Sequence, residues 1–83
     1  SRIFELRATM MARGQYHPAS MKIDIWQKDM AIIAEFARAL GVATPLFDAS
    51  APIYDQAVDS GLGGQDTAAV CRVLQRWANR GPV

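Results

Sequence analysis

Apolar residues recur at intervals of three and four along most of the chain, which is the spacing of one face of an α-helix. Ile3, Leu6 and Met10 begin this pattern and predict a first helix from about residue 2 to residue 12. Gly14 follows at the position where a glycine commonly ends a helix. The loop that comes next contains a proline and leads to a second helical pattern.

The second predicted helix is the longest and runs from about residue 21 to residue 40. Ser20 is its predicted N-cap, and Gly41 stands at the position after its last turn. Thr44 is followed by a proline, which is a favoured combination for the N-cap and first residue of a helix. A third helix is therefore predicted to continue to about residue 60.

A glycine-rich turn at residues 61–64 separates the third helix from a fourth helix that Asp66 is expected to cap. Apolar and polar residues alternate nowhere in the way that a strand requires. The pattern therefore predicts an all-α fold of four to five helices in one domain, residues 1–83. The predicted core face of the fourth helix consists of Val70, Val73, Leu74 and Trp77.

One charged residue interrupts the apolar face of the second helix. In projection at about 100° per residue, Asp29 falls between Phe36 and Leu40, and Lys28 lies on the flank of the same face. A carboxylate buried in such a face needs a partner, because an uncompensated buried charge is costly. Either Asp29 is paired with an arginine or a helix N-terminus, or it marks with Lys28 a face that meets a polar ligand or another domain. The face consists of Trp26, Met30, Ile33, Phe36, Ala37 and Leu40.

Composition narrows the class of protein. Hydrophobic residues make up 51% and charged residues 20%, which is typical of a folded domain. The net charge of +1 argues against binding to nucleic acid or to a membrane surface. Cys71 is the only cysteine, so a disulfide scaffold is excluded and a reducing compartment is favoured. With no apolar run long enough for a membrane span and no signal-peptide pattern, a cytoplasmic location is expected.

Other candidate chemistry has simpler explanations. The glycines at residues 61–64 follow a helix rather than a strand and lack the spacing of a phosphate-binding loop. Arg72, Arg76 and Arg80 form a stripe on the fourth helix, and a solvated face explains it better than anion binding or subunit docking. His17 has no second histidine or cysteine at ligand spacing, so no metal site is expected.

Short motifs in a fixed order between about residues 21 and 74 carry a resemblance to a known family. Their order and spacing resemble the C-terminal helical domain of the β-hydroxyacid dehydrogenases, the 3-hydroxyisobutyrate dehydrogenase-like enzymes, whose fold is shared with 6-phosphogluconate dehydrogenase. The segments Phe4–Arg7 and Tyr16–Pro18 look closest to the L-threonate dehydrogenase-like branch. The motifs are Trp26–Met30, Ala37–Gly41, Pro45-Leu46, Ile53-Tyr54, Gly61-Leu62-Gly63 and Asp66–Val70.

The resemblance implies a two-domain NAD(P)-dependent oxidoreductase of which residues 1–83 are the C-terminal cleft domain. In that family an N-terminal Rossmann domain holds NAD or NADP, and the helix joining the domains carries the catalytic lysine. Neither element occurs in residues 1–83, so no catalytic residue is assigned here and the isolated chain is expected to be inactive. The implied partners are the Rossmann domain, a short hydroxy acid such as 3-hydroxyisobutyrate, threonate or glycerate, and a second subunit in a homodimer.

The resemblance also implies which residues face the cleft. The family's Lys-Asp pair coincides with Lys28 and Asp29, so Lys28 is expected to contact the cofactor and Asp29 to support the substrate or its orientation. Many members have Gly-Phe where this chain has Ser20 and Met21. Met21 therefore takes the place of an aromatic cleft residue, and the shape of the substrate is expected to differ.

A different class of function would give the same hydrophobic pattern. A helical protein-interaction module that docks a partner through Trp26, Phe36 and Trp77 also requires amphipathic helices with large apolar residues. The two hypotheses differ in what the gene encodes next to this chain, because only a dehydrogenase needs a glycine-rich βαβ unit.

Overall fold

The computed structural model describes residues 1–80, which form four α-helices joined by short loops. A 3₁₀ turn precedes the last helix, and the described residues contain no strand, only one isolated antiparallel bridge between Lys22 and Asp66. The predicted all-α fold is therefore confirmed. The helices are α1 (Arg2–Arg13), α2 (Ile23–Leu40), α3 (Pro45–Asp59) and α4 (Val70–Arg80), and the 3₁₀ turn is Thr67–Ala69.

Glycines end α1 and α2 as predicted, because both must adopt a left-handed backbone conformation. Gly14 has φ 63° and Gly41 has φ 68°, and their N–H groups donate to carbonyl groups in the last turn of each helix. The predicted N-cap of α2 is wrong, since Lys22 rather than Ser20 occupies that position. The backbone N–H of Ser20 donates instead to the carboxylate of Asp66, which keeps the residues before α2 outside the helix.

The hydrophobic core lies where the end of α1, the start of α2, the end of α3 and the start of α4 meet. α3 packs against both α2 and α4, and the 3₁₀ turn contacts α1, α2 and α4. Val73 is fully buried on α4, whereas Leu74 is 46% exposed, so its assignment to the core face was wrong. The buried apolar residues of this core are Met10, Tyr16, Ile23, Ala57, Leu62, Ala68, Ala69 and Val73.

The second half of α2 has a largely exposed apolar face. Ile33 is 43% exposed, Phe36 66% and Leu40 62%, although all three belong to the predicted apolar face. Leu46, at the start of α3, is 87% exposed. The helix is amphipathic along its whole length, but residues 1–80 cover only part of the side that carries Ile33, Phe36 and Leu40.

Candidate functional site

A single buried carboxylate connects three parts of the chain. Asp66 has no exposed surface, and it accepts hydrogen bonds from the backbone N–H groups of Ser20 at 2.9 Å, Met21 at 3.2 Å and Ala68 at 2.8 Å. Its Oδ2 atom also accepts from Nε of Arg7 at 3.2 Å. Asp66 therefore fixes α1 and the 3₁₀ turn relative to the segment that enters α2.

The hydrogen bonds around Asp66 keep it ionised. Burial by itself raises the pKa of an aspartate, because the charged form loses its hydration. Here the backbone N–H groups and Arg7 outweigh that effect and hold the pKa of Asp66 below its ordinary value. The buried charge is thus compensated by four donors, as a stable buried carboxylate requires.

The glycine-rich turn lies directly against the start of α2. Ile23 N–H donates to the carbonyl oxygen of Gln65 at 3.0 Å, and Asp24 N–H donates to that of Gly63 at 2.9 Å. A Cβ atom at Gly63 would overlap the carboxylate of Asp24. Close packing against α2 therefore accounts for this glycine, in agreement with the interpretation of residues 61–64 as a structural turn.

Met21 lines a small open cavity. The cavity has a volume of about 320 Å³, and the residues around it are Arg7, Met21, Trp26, Tyr54 and Thr67. The rings of Trp26 and Tyr54 meet edge to face, with their centroids 6.2 Å apart. Nε1 of Trp26 is buried and has no hydrogen-bond partner among residues 1–80. The cavity thus combines a guanidinium group and a hydroxyl with apolar and aromatic walls, and none of its five lining residues is acidic.

Lys28 lies on a different depression, a groove of about 430 Å³ between α2 and α3. Its neighbours along this groove include Gln27 and Asp55, whose side chains form a hydrogen bond of 2.6 Å from Nε2 to Oδ1. Lys28 is exposed and forms no salt bridge with any residue in the described part of the chain. Its ammonium group is therefore available to a group outside residues 1–80, but it does not share a cavity with Met21.

Asp29 is exposed, and no side chain or backbone group in residues 1–80 forms a hydrogen bond or salt bridge with it. Of the two alternatives for Asp29, pairing within the domain is therefore wrong for the described residues. The reason is that Asp29 shares its side of α2 with Phe36 and Leu40 in projection, and this side is exposed. Because it is exposed, the carboxylate of Asp29 keeps its hydration and needs no partner. A role for Asp29 at a cleft stays a prediction.

The arginine stripe of α4 is solvent-exposed at Arg72 and Arg76, as predicted, and these two residues also form hydrogen bonds within the domain. Arg72 donates from Nη2 to the carbonyl oxygen of Gly14 at 2.6 Å, and its guanidinium lies 5.3 Å from the ring centre of Tyr16. Arg76 donates from Nη1 to Oγ of Ser60 at 3.1 Å. These two arginines tie α4 to neighbouring loops, while the side chain of the third arginine of the stripe lies outside the described part.

Other reactive groups show ordinary surroundings. Cys71 is a free, half-buried thiol packed against the core. Burial, together with the contact to Cys71, raises the pKa of the Tyr16 phenol, and Arg72 opposes this shift. His17 is exposed, and residues 1–80 contain no group of three or more His, Cys, Asp or Glu side chains that could hold a metal ion. Within the same residues, every helix is too short or too polar to cross a membrane.

The fold and the two surface depressions place the chain in a general class of protein, the small all-α domains with an open cavity and an open groove. The sequence model of one protein family, described as the NAD-binding domain of NADP-dependent 3-hydroxyisobutyrate dehydrogenase, matches residues 1–74. The chain therefore belongs to the family of 3-hydroxyisobutyrate dehydrogenase-like proteins. The predicted cofactor, NAD or NADP in the full-length protein, agrees with that description.

Individual relatives point to the same family. The chain is 33% identical over 72 residues to the L-threonate dehydrogenases of Escherichia coli (strain K12) and Cupriavidus necator, and 30% identical to that of Pectobacterium atrosepticum. In each case the similar region covers 87% of this chain. It covers only 24% of the first two relatives and 23% of the third, so the chain spans about a quarter of their length.

The contact between Arg7 and Asp66 is the part of the site that the sequence did not predict. Asp66 was expected to cap a helix, and it does so by accepting from Ala68 N–H. Nothing in a single sequence connects it to Arg7, which is 59 residues away. In the sequence, Arg7 is one of several polar residues on an amphipathic helix. Only the tertiary structure brings it to the cavity beside Met21.

Proposed function

We propose that this chain is the C-terminal helical domain of an NAD(P)-dependent dehydrogenase that acts on a short hydroxy acid. The family match over residues 1–74 carries this proposal, and the similarity to L-threonate dehydrogenases supports the substrate class. Because those relatives are about four times as long, the Rossmann domain and the catalytic lysine belong to sequence outside residues 1–83. The chain then contributes one wall of the active-site cleft.

The proposed contribution of Lys28 is a positive charge at the cofactor side of the cleft. When NAD or NADP is bound, the nicotinamide ring accepts or supplies the hydride. Lys28 fits a contact of this kind because it is exposed, lies on the rim of a groove and forms no salt bridge within residues 1–80. A cation near the cofactor stabilises its negative charges.

Asp29 and Met21 are proposed to support the same cleft. Asp29 follows Lys28 directly and is exposed, so its carboxylate can orient a polar group that approaches this face. Met21 is held by its backbone contact with Asp66 and lines the cavity that contains Arg7. An unbranched methionine gives this wall a flexible apolar surface, whereas an aromatic ring would give it a flat one.

The exposed apolar half of α2 supports a further part of the proposal. Phe36 and Leu40 on α2, and Leu46 at the start of α3, each expose more than half of their surface, and exposed apolar patches of this kind commonly mark interaction sites. We assign this surface to contacts with the rest of the dehydrogenase or with a second subunit of a homodimer. The observation also fits a helical interaction module, but such a module does not account for the match to the dehydrogenase family.

A hydride-transfer assay tests the proposal directly. The natural full-length polypeptide and residues 1–83 alone are each incubated with NAD or NADP and with threonate, 3-hydroxyisobutyrate or glycerate, and reduced cofactor is followed by absorbance. We expect turnover by the full-length polypeptide and none by the isolated chain. Turnover by residues 1–83 alone, or a full-length polypeptide that oxidises none of these acids, would contradict the proposal.

A further inference from the structure

We propose that the cavity beside Met21 is an anion-binding subsite in which Arg7 binds the carboxylate of the hydroxy-acid substrate. This inference rests on the proposed function for the identity of the ligand, but the subsite itself follows from the cavity. The volume of about 320 Å³ lies at the lower end of the range of about 300–1,000 Å³ that is usual for ligand pockets. A small acid therefore fits this space better than an entire dinucleotide does.

Arg7 has hydrogen-bond donors that are not used within the described residues and are available to such a ligand. An arginine carries five N–H donors in a planar fork, and Arg7 uses Nε on Asp66. Its Nη1 and Nη2 atoms form no hydrogen bond with any residue in the described part of the chain. The side chain is 26% exposed, so the guanidinium is held in place and is still accessible.

Asp66 orients this guanidinium without blocking an incoming anion. Its carboxylate is fully buried, and three backbone N–H groups share its negative charge. Because it is fully buried, this carboxylate is not exposed at the cavity surface, where it would repel another anion. A guanidinium fixed by one buried partner loses less side-chain entropy when it binds a second carboxylate.

The other walls of the cavity favour the same chemistry. The hydroxyl of Thr67 forms no hydrogen bond with any side chain in the described part and is available to a hydroxyl or carboxylate oxygen. Met21, Trp26 and Tyr54 place apolar and aromatic surface beside the charged group, and such surface lowers the local dielectric constant around an ion pair. A cation, hydroxyl groups on Thr67 and Tyr54, and an apolar wall together match a short hydroxy acid.

Equilibrium binding tests the subsite in the 83-residue chain. Nuclear magnetic resonance follows the indole N–H of Trp26, identified by its retention in Trp77→Phe, during titration with glycerate, glycerol or inorganic phosphate. We expect glycerate to shift this signal and uncharged glycerol to leave it unchanged. Arg7→Gln is expected to weaken the binding of glycerate about tenfold or more, because a charge-assisted hydrogen bond is lost. Arg7→Lys keeps the charge and is expected to weaken it less.

Arg13→Gln is the matched control, because Arg13 is an exposed arginine on the same helix and does not line this cavity. Amide spectra of each variant report whether it is folded. Equal affinity for glycerate in the parent chain and in Arg7→Gln, or equal loss in Arg13→Gln, would overturn the subsite. A shift produced by phosphate but not by glycerate would overturn the assignment to a carboxylate.

Steady-state kinetics of the full-length polypeptide provides the second arm. Arg7→Gln is expected to raise KM for the hydroxy acid about tenfold or more and to leave KM for the cofactor within about twofold. An increase confined to the cofactor KM would overturn the substrate assignment. If the parent polypeptide oxidises no short hydroxy acid, the proposed function fails, and the glycerate titration still decides whether the anion subsite exists.

Discussion

The two halves of α2 have similar sequence patterns and different surroundings. In the first half, Ile23 is fully buried and Met30 is 4% exposed. In the second half, Phe36 and Leu40 are each more than 60% exposed, and in projection they lie about 80–120° from Met30, at the edge of the apolar face that also carries Asp29. The comparison shows that amphipathic spacing predicts a helix and a face, whereas burial depends on what other parts of the molecule cover that face.

The first half of α2 contributes to the stability of this domain, whereas the exposed second half is a surface available to partners. The first half of α2 is tied to the glycine-rich turn by backbone hydrogen bonds from Ile23 and Asp24, and the segment before it is tied to Asp66. The second half, within the described residues, has only part of its surface packed against α3. We therefore expect substitutions to be costly near the Asp66 network and mild on the exposed half.

The largest effect is expected from Asp66→Ala. This change leaves three backbone N–H groups without their acceptor and Arg7 without its partner. Breaking a buried, hydrogen-bonded charge pair commonly costs about 3–5 kcal/mol of unfolding free energy. Chemical denaturation of the 83-residue chain measures the loss. Asp59→Asn, at an exposed aspartate, is the control and is expected to change stability by about 0.5 kcal/mol or less.

Acid titration sharpens the same prediction. The folded-state pKa of Asp66 lies below its ordinary value, so the unfolded chain takes up a proton at this residue at higher pH than the folded chain does. The contribution of Asp66 is therefore fully present above the unfolded pKa and is lost as pH falls through the folded pKa. Asp66→Asn is expected to flatten the decline of stability below about pH 4. An equally steep acid decline in Asp66→Asn would contradict this assignment.

A pair of substitutions tests the two halves of α2 against each other. Met30→Ala creates a cavity in the buried half and is expected to cost about 2–4 kcal/mol. Phe36→Ala removes a larger side chain from the exposed half and is expected to change the stability of the isolated chain by about 0.5 kcal/mol or less. Thermal denaturation compares them. Equal losses would show that the two halves are packed equally well.

A smaller loss than that of Met30→Ala is expected in the glycine-rich turn. Gly63→Ala places a methyl group against the carboxylate of Asp24, an exposed side chain that can rotate away, so we expect a loss of about 1 kcal/mol. Gly64→Ala is the matched control, because a Cβ atom there meets nothing within 4 Å. Adding Asp24→Ala should restore most of the loss in Gly63→Ala. If the double variant is no more stable than Gly63→Ala, the overlap with Asp24 is not the cause of the lost stability.

Local signals in the sequence predicted the helices and their glycine ends. Gly14 and Gly41 end their helices because a left-handed conformation is a property of one residue and its immediate neighbours. The N-cap at Ser20 was predicted on the same kind of evidence and was wrong. Its N–H is taken by Asp66, 46 residues away, and a local rule contains no information about that contact.

In the candidate site, too, the sequence predicted local features but not the contacts between distant residues. The family resemblance identified Lys28, Asp29 and Met21, and the structure places Lys28 on a groove and Met21 at a separate cavity. From the sequence, Asp29 was expected either to be paired within the domain or to mark a face that meets a polar ligand or another domain, and the exposed position of Asp29 leaves the second alternative. Arg7 was not identified, since its position beside the cavity depends on a contact with Asp66 across most of the chain.

We propose that α2 carries Lys28 to the cofactor side of a dehydrogenase cleft. The most direct test is the dissociation constant for NADH or NADPH, measured by fluorescence on the natural full-length polypeptide and on its Lys28→Ala variant. Lys22→Ala, at the exposed lysine before α2, is the control. We predict about tenfold weaker binding for Lys28→Ala and no change for Lys22→Ala, since a charge-assisted contact is lost only in the first. Unchanged cofactor affinity in Lys28→Ala would contradict the account.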